Sequence, residues 1–525
     1  MLYQSYPHWQ LCLADDCSTD PAIRPCLTKW ASTDSRIKVV FLDENSGISE
    51  ATNAAAKLAE GTYLAFLDND DELTPDALQI FVQAINTTPA DLYYSDEDLI
   101  GADGKQFSIF RKPGFNNELL LCHNYVCHCV VTTKIAYEKV GGCASEMNGA
   151  QDLDLFHKLA EQADTIIHIP QILYHWRASE TSTSINHDNK EYANEAGRRS
   201  VANALTRRGI IGEVSFTDWK YFYRAKRTIA QNLSVTIVIN WERPDDHNLQ
   251  TWLNNLLATT GHKALQVVIL MTQEPSNSLT DYLAQITDTH TVYRVFLGDM
   301  SPADKLNSVL SDVQGELVAY VSGDLDIEGE NWLSALVEYG QSPEIGLVGG
   351  KIEYLPECRA TVTPIPDCKL DSPSYYAHFL TDCSVLMNGL QCPQEVLGVG
   401  GDLFLVRRDL LIAEGGFSSS EFPLFFAFVD FSFRLHQLKK TNIYTPYCKA
   451  VMNNCSILTM KHLPLDMLRE EKHLFQKKWS DLLESGNPFY NPGIISDQGL
   501  SQVAFKVWLS GATPSSVQQH PSRLD

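Results

Sequence analysis

Four carboxylates crowd five positions where Gly61-Thr-Tyr-Leu-Ala-Phe-Leu-Asp68-Asn-Asp70-Asp71-Glu72 turns from apolar to acidic. A short apolar run bounded by turn signals predicts a buried strand over residues 61–68. Side chains alternate faces in an extended chain, so Asp68 and Asp70 are expected to point the same way. They would do so at the carboxyl end of the strand, where open α/β sheets take their ligands. Negative charge packed this tightly is unfavourable without a counter-ion. Oxygen-only donors suit a hard divalent cation, and Mg2+ or Mn2+ completes its shell with water and substrate phosphates. The stretch therefore predicts a metal that carries a phosphorylated ligand. Helix capping explains only part of it: Thr74-Pro75-Asp76 reads as an N-cap with proline at the first helical position, and acids near that end suit the helix dipole. That accounts for Asp71 and Glu72, but Asp68 and Asp70 lie too far ahead of the cap.

A chain of 525 residues is too long for one ordinary core and predicts two or three domains. Its formal charge of -24 argues against a nucleic-acid partner and against adsorption to an anionic membrane by charge alone. No apolar run approaches the roughly 20 residues that span a bilayer, and residues 1–20 have neither a basic start nor a signal-peptide core. The expectation is a cytoplasmic protein, with peripheral membrane association through a partner left open. Thirteen cysteines, an odd number without regular spacing, fit reduced thiols better than a disulfide framework. Cys122, His123, Cys127, His128 and Cys129 form a cluster that could invite zinc. Their spacing matches no paired Cys-x-x-Cys knuckle, and residues 124–131 read more naturally as a strand whose cysteines pack as small hydrophobes.

The elements that would position these acids alternate in type. Residues 10–15 form an apolar strand that ends in Asp15-Asp16-Cys-Ser18-Thr-Asp20, so two strands deliver carboxylates to one rim. A helix follows at 22–31, then a strand at 37–42 and an Ala-rich helix at 49–60. Beyond Pro75 come a helix to about residue 85, a strand Leu92-Tyr-Tyr-Ser-Asp96-Glu97-Asp98 with another acidic end, and a helix starting at Gln151-Asp152. Asp152 at such a start also suits a plain cap. A strand at 165–169 leads to Tyr174-His175-Trp176-Arg177, and a helix at 192–208 follows. Strands alternating with helices imply a mainly parallel, doubly wound α/β sheet. After a linker at 225–232 the pattern restarts: Val235-Thr-Ile-Val-Ile239 is a strand, and Gly315-Glu-Leu-Val-Ala-Tyr-Val-Ser322-Gly323-Asp324-Leu-Asp326 mirrors the stretch from Gly61. Residues 131–142 and 406–416 also echo each other, each a strand and a helix ending in Gly-Gly. A repeat this long is a domain duplication. The expected boundaries are 1–228, 229–510 and a polar tail at 511–525.

Taken in order, these motifs resemble family 2 glycosyltransferases, which have the GT-A fold, and in particular bacterial two-domain members that build surface polysaccharides. The likeness rests on Tyr6-Pro7 with Leu13-Ala-Asp15-Asp16-Cys-Ser18-Thr-Asp20, on Asn45 to Asn53, on Leu67-Asp68-Asn-Asp70-Asp71-Glu72-Leu, on Tyr94-Ser-Asp96-Glu97-Asp98, on Gln151-Asp152, and on Tyr174-His175-Trp176-Arg177. It implies two tandem GT-A domains and a nucleotide-diphosphate sugar donor. The acceptor would be a saccharide or lipid-linked saccharide, met at the inner face of the plasma membrane. By the same resemblance Asp15 and Asp16 hold the nucleotide base, with Asn53 and Asp68 also on the donor. Asp68 and Asp70 bind Mn2+ or Mg2+, and Asp152 is the base of an inverting displacement. His175 is either a further metal ligand or diphosphate contact, or a satisfied core histidine beside Tyr174 and Trp176.

Two departures from the family carry expectations of their own. In the family a strand ending in Pro-x-Tyr-Asn or similar precedes the position of Tyr6 and is central to the sheet. Here the chain starts after it, so Met1 is read as a misplaced start or a truncation, with a gap expected between that strand's two neighbours. In the second half, Met271-Thr272-Gln273 stands where the base-binding acids should be, and Ser322 where the first acid of the metal motif should be. Phe428 stands in place of Asp152, and Asn453 where the family often has histidine. A phenylalanine cannot remove a proton, so the second domain is expected to be catalytically silent. The rival expectation is a carbohydrate-binding or scaffold protein of the same fold. A sugar nucleotidyltransferase would need a Gly-rich basic phosphate loop, and the sequence offers none.

Overall fold

A computed structural model of the chain describes residues 1–101, 103–178, 191–243, 246–262, 265–286, 290–296, 298, 300–354, 391–424, 426–452, 465–484, 488, 489 and 491. The polar tail and Asn453 lie outside the described residues. The chain divides into two compact units, Met1–Arg227 with Asn491 added, and a second that begins at Thr228.

In the first unit β1 (Leu11–Asp15) and β2 (Ile37–Phe41) pair in parallel as a two-stranded sheet. They are joined by α1 (Ile23–Thr33), and α2 (Ile48–Leu58) follows. A separate six-stranded sheet holds β3 (Tyr63–Ala65), β4 (Glu72–Leu73), β5 (Leu92–Ile100), β6 (Gln106–Phe110), β7 (Val130–Thr133) and β8 (Ile166–Arg177). Its order is β3-β7-β5-β8-β4, with β6 on β5. Only β5 and β8 run parallel in it; the other pairs are antiparallel. The expectation of a mainly parallel sheet is therefore corrected to a mixed one in this unit. The strand expected over residues 61–68 is likewise shorter, three residues of which only Leu64 is buried. Its single described neighbour is β7, so one edge alone holds it extended. The helices are α3 (Ala77–Thr87), α4 (Asn117–Cys122), α5 (Lys134–Lys139), α6 (Gln151–Gln162) and α7 (Glu191–Arg207), and a hairpin of β9 (Gly212–Phe216) and β10 (Tyr223–Arg227) ends the unit.

The second unit holds one nine-stranded sheet. Its strands are β11 (Val235–Trp241), β12 (Leu265–Met271), β13 (His290–Val295), β14 (Leu317–Ser322), β15 (Leu325–Glu328), β16 (Ile345–Tyr354), β17 (Gln394–Val396), β18 (Leu403–Arg407) and β19 (Thr441–Met452). They run in the order β13-β12-β11-β14-β18-β16-β19-β15, and β17 joins β19. Here β13, β12, β11 and β14 are parallel, as the apolar runs predict. Every residue of β11 and β14 is buried, because helices cover both faces. Leu249, Leu253 and Trp332 pack on one face, and Phe426, Phe433 and Phe475 on the other. Among the described residues no helix is long and apolar enough to cross a membrane.

The duplication goes deeper than strand order. In each unit the helix after the Val-rich strand, α5 or Arg408–Ala413, ends in two glycines with positive φ, Gly141-Gly142 and Gly415-Gly416. The second of each pair faces an asparagine so closely that a Cβ there would sit 2.5 Å from Asn53 Oδ1, or 2.3 Å from Asn307 Oδ1. Each asparagine then clasps the next residue's backbone. Asn53 accepts from Cys143 N–H at 3.0 Å and donates to its carbonyl at 2.9 Å. Asn307 does the same to Phe417, at 2.9 and 2.8 Å. Glycine is required because only it tolerates both the left-handed backbone and the close amide. Removing a two-bond clasp leaves backbone groups unpaired, so Asn53→Ala and Asn307→Ala should each destabilise their own unit by about 1–3 kcal/mol. Urea unfolding followed separately in each unit checks this.

Candidate functional site

The acidic stretch after β3 turns directly after its first carboxylate. Asp71 N–H donates to Asp68 O at 3.3 Å, closing a turn through Asn69 and Asp70. A turn of this kind brings its first and fourth residues to the same side, so Asp68 gathers with Asp71 rather than with Asp70. Asp70 is exposed, and its carbonyl accepts from Arg177 Nε at 2.7 Å. Tyr174 on β8 ties the turn shut. Its hydroxyl accepts from Asp68 N–H at 3.2 Å and donates to Asp71 Oδ2 at 2.5 Å, while Arg177 N–H donates to Asp71 Oδ1 at 2.7 Å. Burial pushes the Asp71 carboxyl above its ordinary range, and these hydrogen bonds work the other way. Arg177 also pairs with Glu72.

The third member of the group is a residue the sequence assigned to zinc or to a strand. His128 stacks on Tyr174, with ring centroids 4.7 Å apart and 16° between planes, and its Nε2 lies 3.9 Å from Asp68 Oδ2. One ligand atom each from Asp68, Asp71 and His128 falls within 4.8 Å of the others. Residues 124–129 are not the expected strand: β7 starts only at Val130, and Cys127 has a φ of 37°. Cys122 and Cys129 are buried among apolar groups, and burial pushes the Cys129 thiol up to about 12. His123 stacks on Phe222 at 4.2 Å, and burial holds its imidazole down at about 4. Neither histidine of the cluster serves a set of thiolates.

Asp152 stands in the first turn of α6, where the helix dipole favours a carboxylate. Its Oδ2 accepts from Asn124 Nδ2 at 2.8 Å. Burial raises its carboxyl above the ordinary range; the nearby His128 lowers it, and Asp68 raises it. The expected base thus shares an electrostatic neighbourhood with the gathered acids. A raised carboxyl at a helix start is more than a cap requires.

Other expected residues are placed differently. His175 Nδ1 lies 2.6 Å from Asp98 Oδ1, so it serves a buried acid of β5 and is not brought to Asp68 and Asp71. Asn53, expected on the donor, has its amide taken up by Cys143, and its Oδ1 also accepts from Tyr137 at 2.6 Å. Asp15 closes β1 and accepts from Ser18 N–H at 3.2 Å. Both oxygens of Asp16 accept backbone N–H groups, from Ser46 at 2.7 Å and Gly47 at 2.8 Å, which shapes the loop into α2. These two acids stand on the two-stranded sheet, apart in hydrogen bonding from the sheet that carries Tyr174.

In the second unit the matching positions are filled. Phe428 packs against Tyr320, Phe404 and Phe417. Asp324 Oδ1 lies 3.3 Å from Arg243 Nε. Asp430 is fully buried and bound by Ser418, Arg434 and Trp479.

Residues 1–141 match glycosyl transferase family 2. A Sinorhizobium fredii protein of unassigned function, y4gI, is 30% identical over 511 residues, covering 94% of this chain and 55% of its own length. The chain thus spans about half of that relative. The putative teichuronic acid biosynthesis glycosyltransferase TuaG of Bacillus subtilis is 31% identical over 188 residues, 35% of this chain and 74% of TuaG. Among solved structures, the mannosyltransferase PcManGT of Pyrobaculum calidifontis, in complex with GDP-Man and Mn2+, is 14% identical with a TM-score of 0.34, covering 57% of this chain and 79% of that one.

The grouping makes a distinction that the sequence did not. His128→Ala should weaken Mn2+ binding by about tenfold or more, whereas His175→Ala should change it by less than about threefold. Titration of free Mn2+ by electron paramagnetic resonance reads both.

Proposed function

Because the chain belongs to glycosyl transferase family 2, we propose that it moves a sugar from a nucleotide-diphosphate donor to a hydroxyl of a growing polysaccharide or glycolipid, with inversion, in cell-surface polysaccharide synthesis. The observation that carries this is the gathering of Asp68, Asp71 and His128 within 4.8 Å, next to the raised carboxyl of Asp152. Two carboxylate oxygens and one imidazole nitrogen fit Mn2+ better than Mg2+, which favours oxygen alone. Bound there, the ion would neutralise charge growing on the departing diphosphate. Tyr174 and Arg177 keep the acidic turn in its binding shape through the hydrogen bonds to Asp68 and Asp71. Asp15 and Asp16 are the proposed contacts to the nucleotide base, with Asp16 acting through the loop it organises. The acceptor is a saccharide or lipid-linked saccharide, reached from the cytoplasmic side by peripheral contact with the membrane.

Asp152 is the proposed base. A carboxylate takes the acceptor's proton as its oxygen attacks the anomeric carbon, and Asn124 holds the receiving side chain in place. In the second unit Phe428 fills the matching position, and we assign that unit no chemistry. One observation favours binding without transfer instead: the strand that ends in Asp15 is not hydrogen-bonded to the sheet bearing the acidic turn.

Donor hydrolysis and transfer separate the two. Asp152→Asn should lower kcat by about 10²–10⁴-fold, while Asp326→Asn in the second unit leaves it unchanged. A protein that transfers undiminished without Asp152, or not at all with it, has another role. The pH profile follows from the same group. A base works only when ionised, so kcat should fall as pH drops, and the raised carboxyl places that fall above the ordinary aspartate range.

A further inference from the structure

Residues 124–129 carry His128 on the metal side and Asn124 on the side of Asp152, yet no strand or helix shapes them. Cys127 sits in left-handed backbone, which a non-glycine residue adopts only when its surroundings impose it. The surroundings here are two charges. Lys112 and Glu97 are both fully buried, with Nζ 3.4 Å from a Glu97 oxygen. Lys112 Nζ donates to the Val126 carbonyl at 2.7 Å and also to the His128 carbonyl. Glu97 Oε2 accepts the His128 N–H at 3.1 Å. His128 is therefore gripped on both sides, its N–H by the acid and its C=O by the base. Farther back, Cys127 N–H donates to Asn124 Oδ1 at 3.3 Å, and Asn124 Nδ2 donates on to Asp152.

Apolar residues of similar size would fill the same space with equal or better stability, because a buried ion pair gains little over them. Stability alone gives no reason for a lysine here; its contacts to two carbonyls of one turn do. We propose that Lys112, with Glu97, is a positioning residue that sets His128 against Asp68 and Asn124 against Asp152 together, keeping the metal side and the base side of the reaction in register. This rests on the transferase reading of the same site.

The test replaces the pair without stranding a charge. Lys112→Met with Glu97→Gln removes both charges and keeps an acceptor for His128 N–H. Glu97→Gln alone is the milder companion in case the double variant folds poorly. Mn2+ affinity by electron paramagnetic resonance, kcat and KM for donor, and the thermal midpoint are read on each. The double variant should bind Mn2+ about tenfold more weakly and lose about 10–100-fold in kcat while still unfolding cooperatively, and Glu97→Gln should shift both in the same direction by less. Asn124→Ala should lower kcat and leave Mn2+ affinity alone. Wild-type Mn2+ affinity and kcat in either pair variant, or a loss of thermal midpoint with no change in them, overturns the positioning role. Asp68→Ala separates the two readings: Mn2+ binding that ignores Asp68 brings down the transferase reading and this one with it, whereas Asp68-dependent binding untouched by the pair variants overturns this one alone.

Discussion

Three consecutive carboxylates lie in a strand with no exposed residue, and most of the first unit's polar architecture answers that constraint. Asp96, Glu97 and Asp98 in β5 are each at most 2% exposed. A buried charge must be paired or it costs several kcal/mol, so each acid is met by a basic side chain from β8 or from the segment after β6. Asp96 takes Arg111 at 3.0 Å and His168 at 2.8 Å, with both its oxygens also bound by Asn491. Burial works against its charge, yet the hydrogen bonds from His168, Lys112 N–H and Asn491 hold the carboxyl below its usual range. Glu97 takes Lys112, and Asp98 takes His175. The partners come from β8, from the segment after β6 and from residue 491, so neutralising one strand fixes the walls around the site. Register shifts between Ser95 and Glu97 let these neighbours find partners on different elements.

The two units show what a duplication keeps and what it lets go. The asparagine clasp survives in both, because a left-handed Gly-Gly and the amide that meets it are a backbone requirement. The residue proposed as the base is not kept. In the second unit the position of the base is held by Phe428 within an aromatic cluster, and Asp324 is paired with Arg243. In the first unit Asp68, Asp71 and His128 gather within 4.8 Å of one another, and Asp71 is held by the neutral donors of Tyr174 and Arg177 N–H. Like charges held that close favour a cation from outside.

Much was legible in the residues. Alternating apolar runs and helix starts specify an α/β chain with a repeat, and the acidic ends of successive strands mark where carboxylates accumulate. Those are local properties: period, capping and charge density are written within a dozen neighbours. The roles of Asn53 and His175 were not legible, because an amide or imidazole in a motif looks the same whether it faces a ligand or another part of the chain. The structure turned both inward, to Cys143 and to Asp98.

What the sequence by itself determined is an α/β chain in two similar halves, with acids following its strands and Phe428 standing where the first half has Asp152. What only the tertiary structure decided is which acids gather and with whom. Alternation paired Asp68 with Asp70, but the chain turns at Asn69-Asp70, directly after the first acid, and Asp71 is the one that gathers with Asp68. His128 arrives from sixty residues away along the chain, through a turn shaped by the buried charges of Lys112 and Glu97. No local period encodes such a meeting, because the energy that fixes it is the need to compensate charge inside a core, and that exists only once the core has formed.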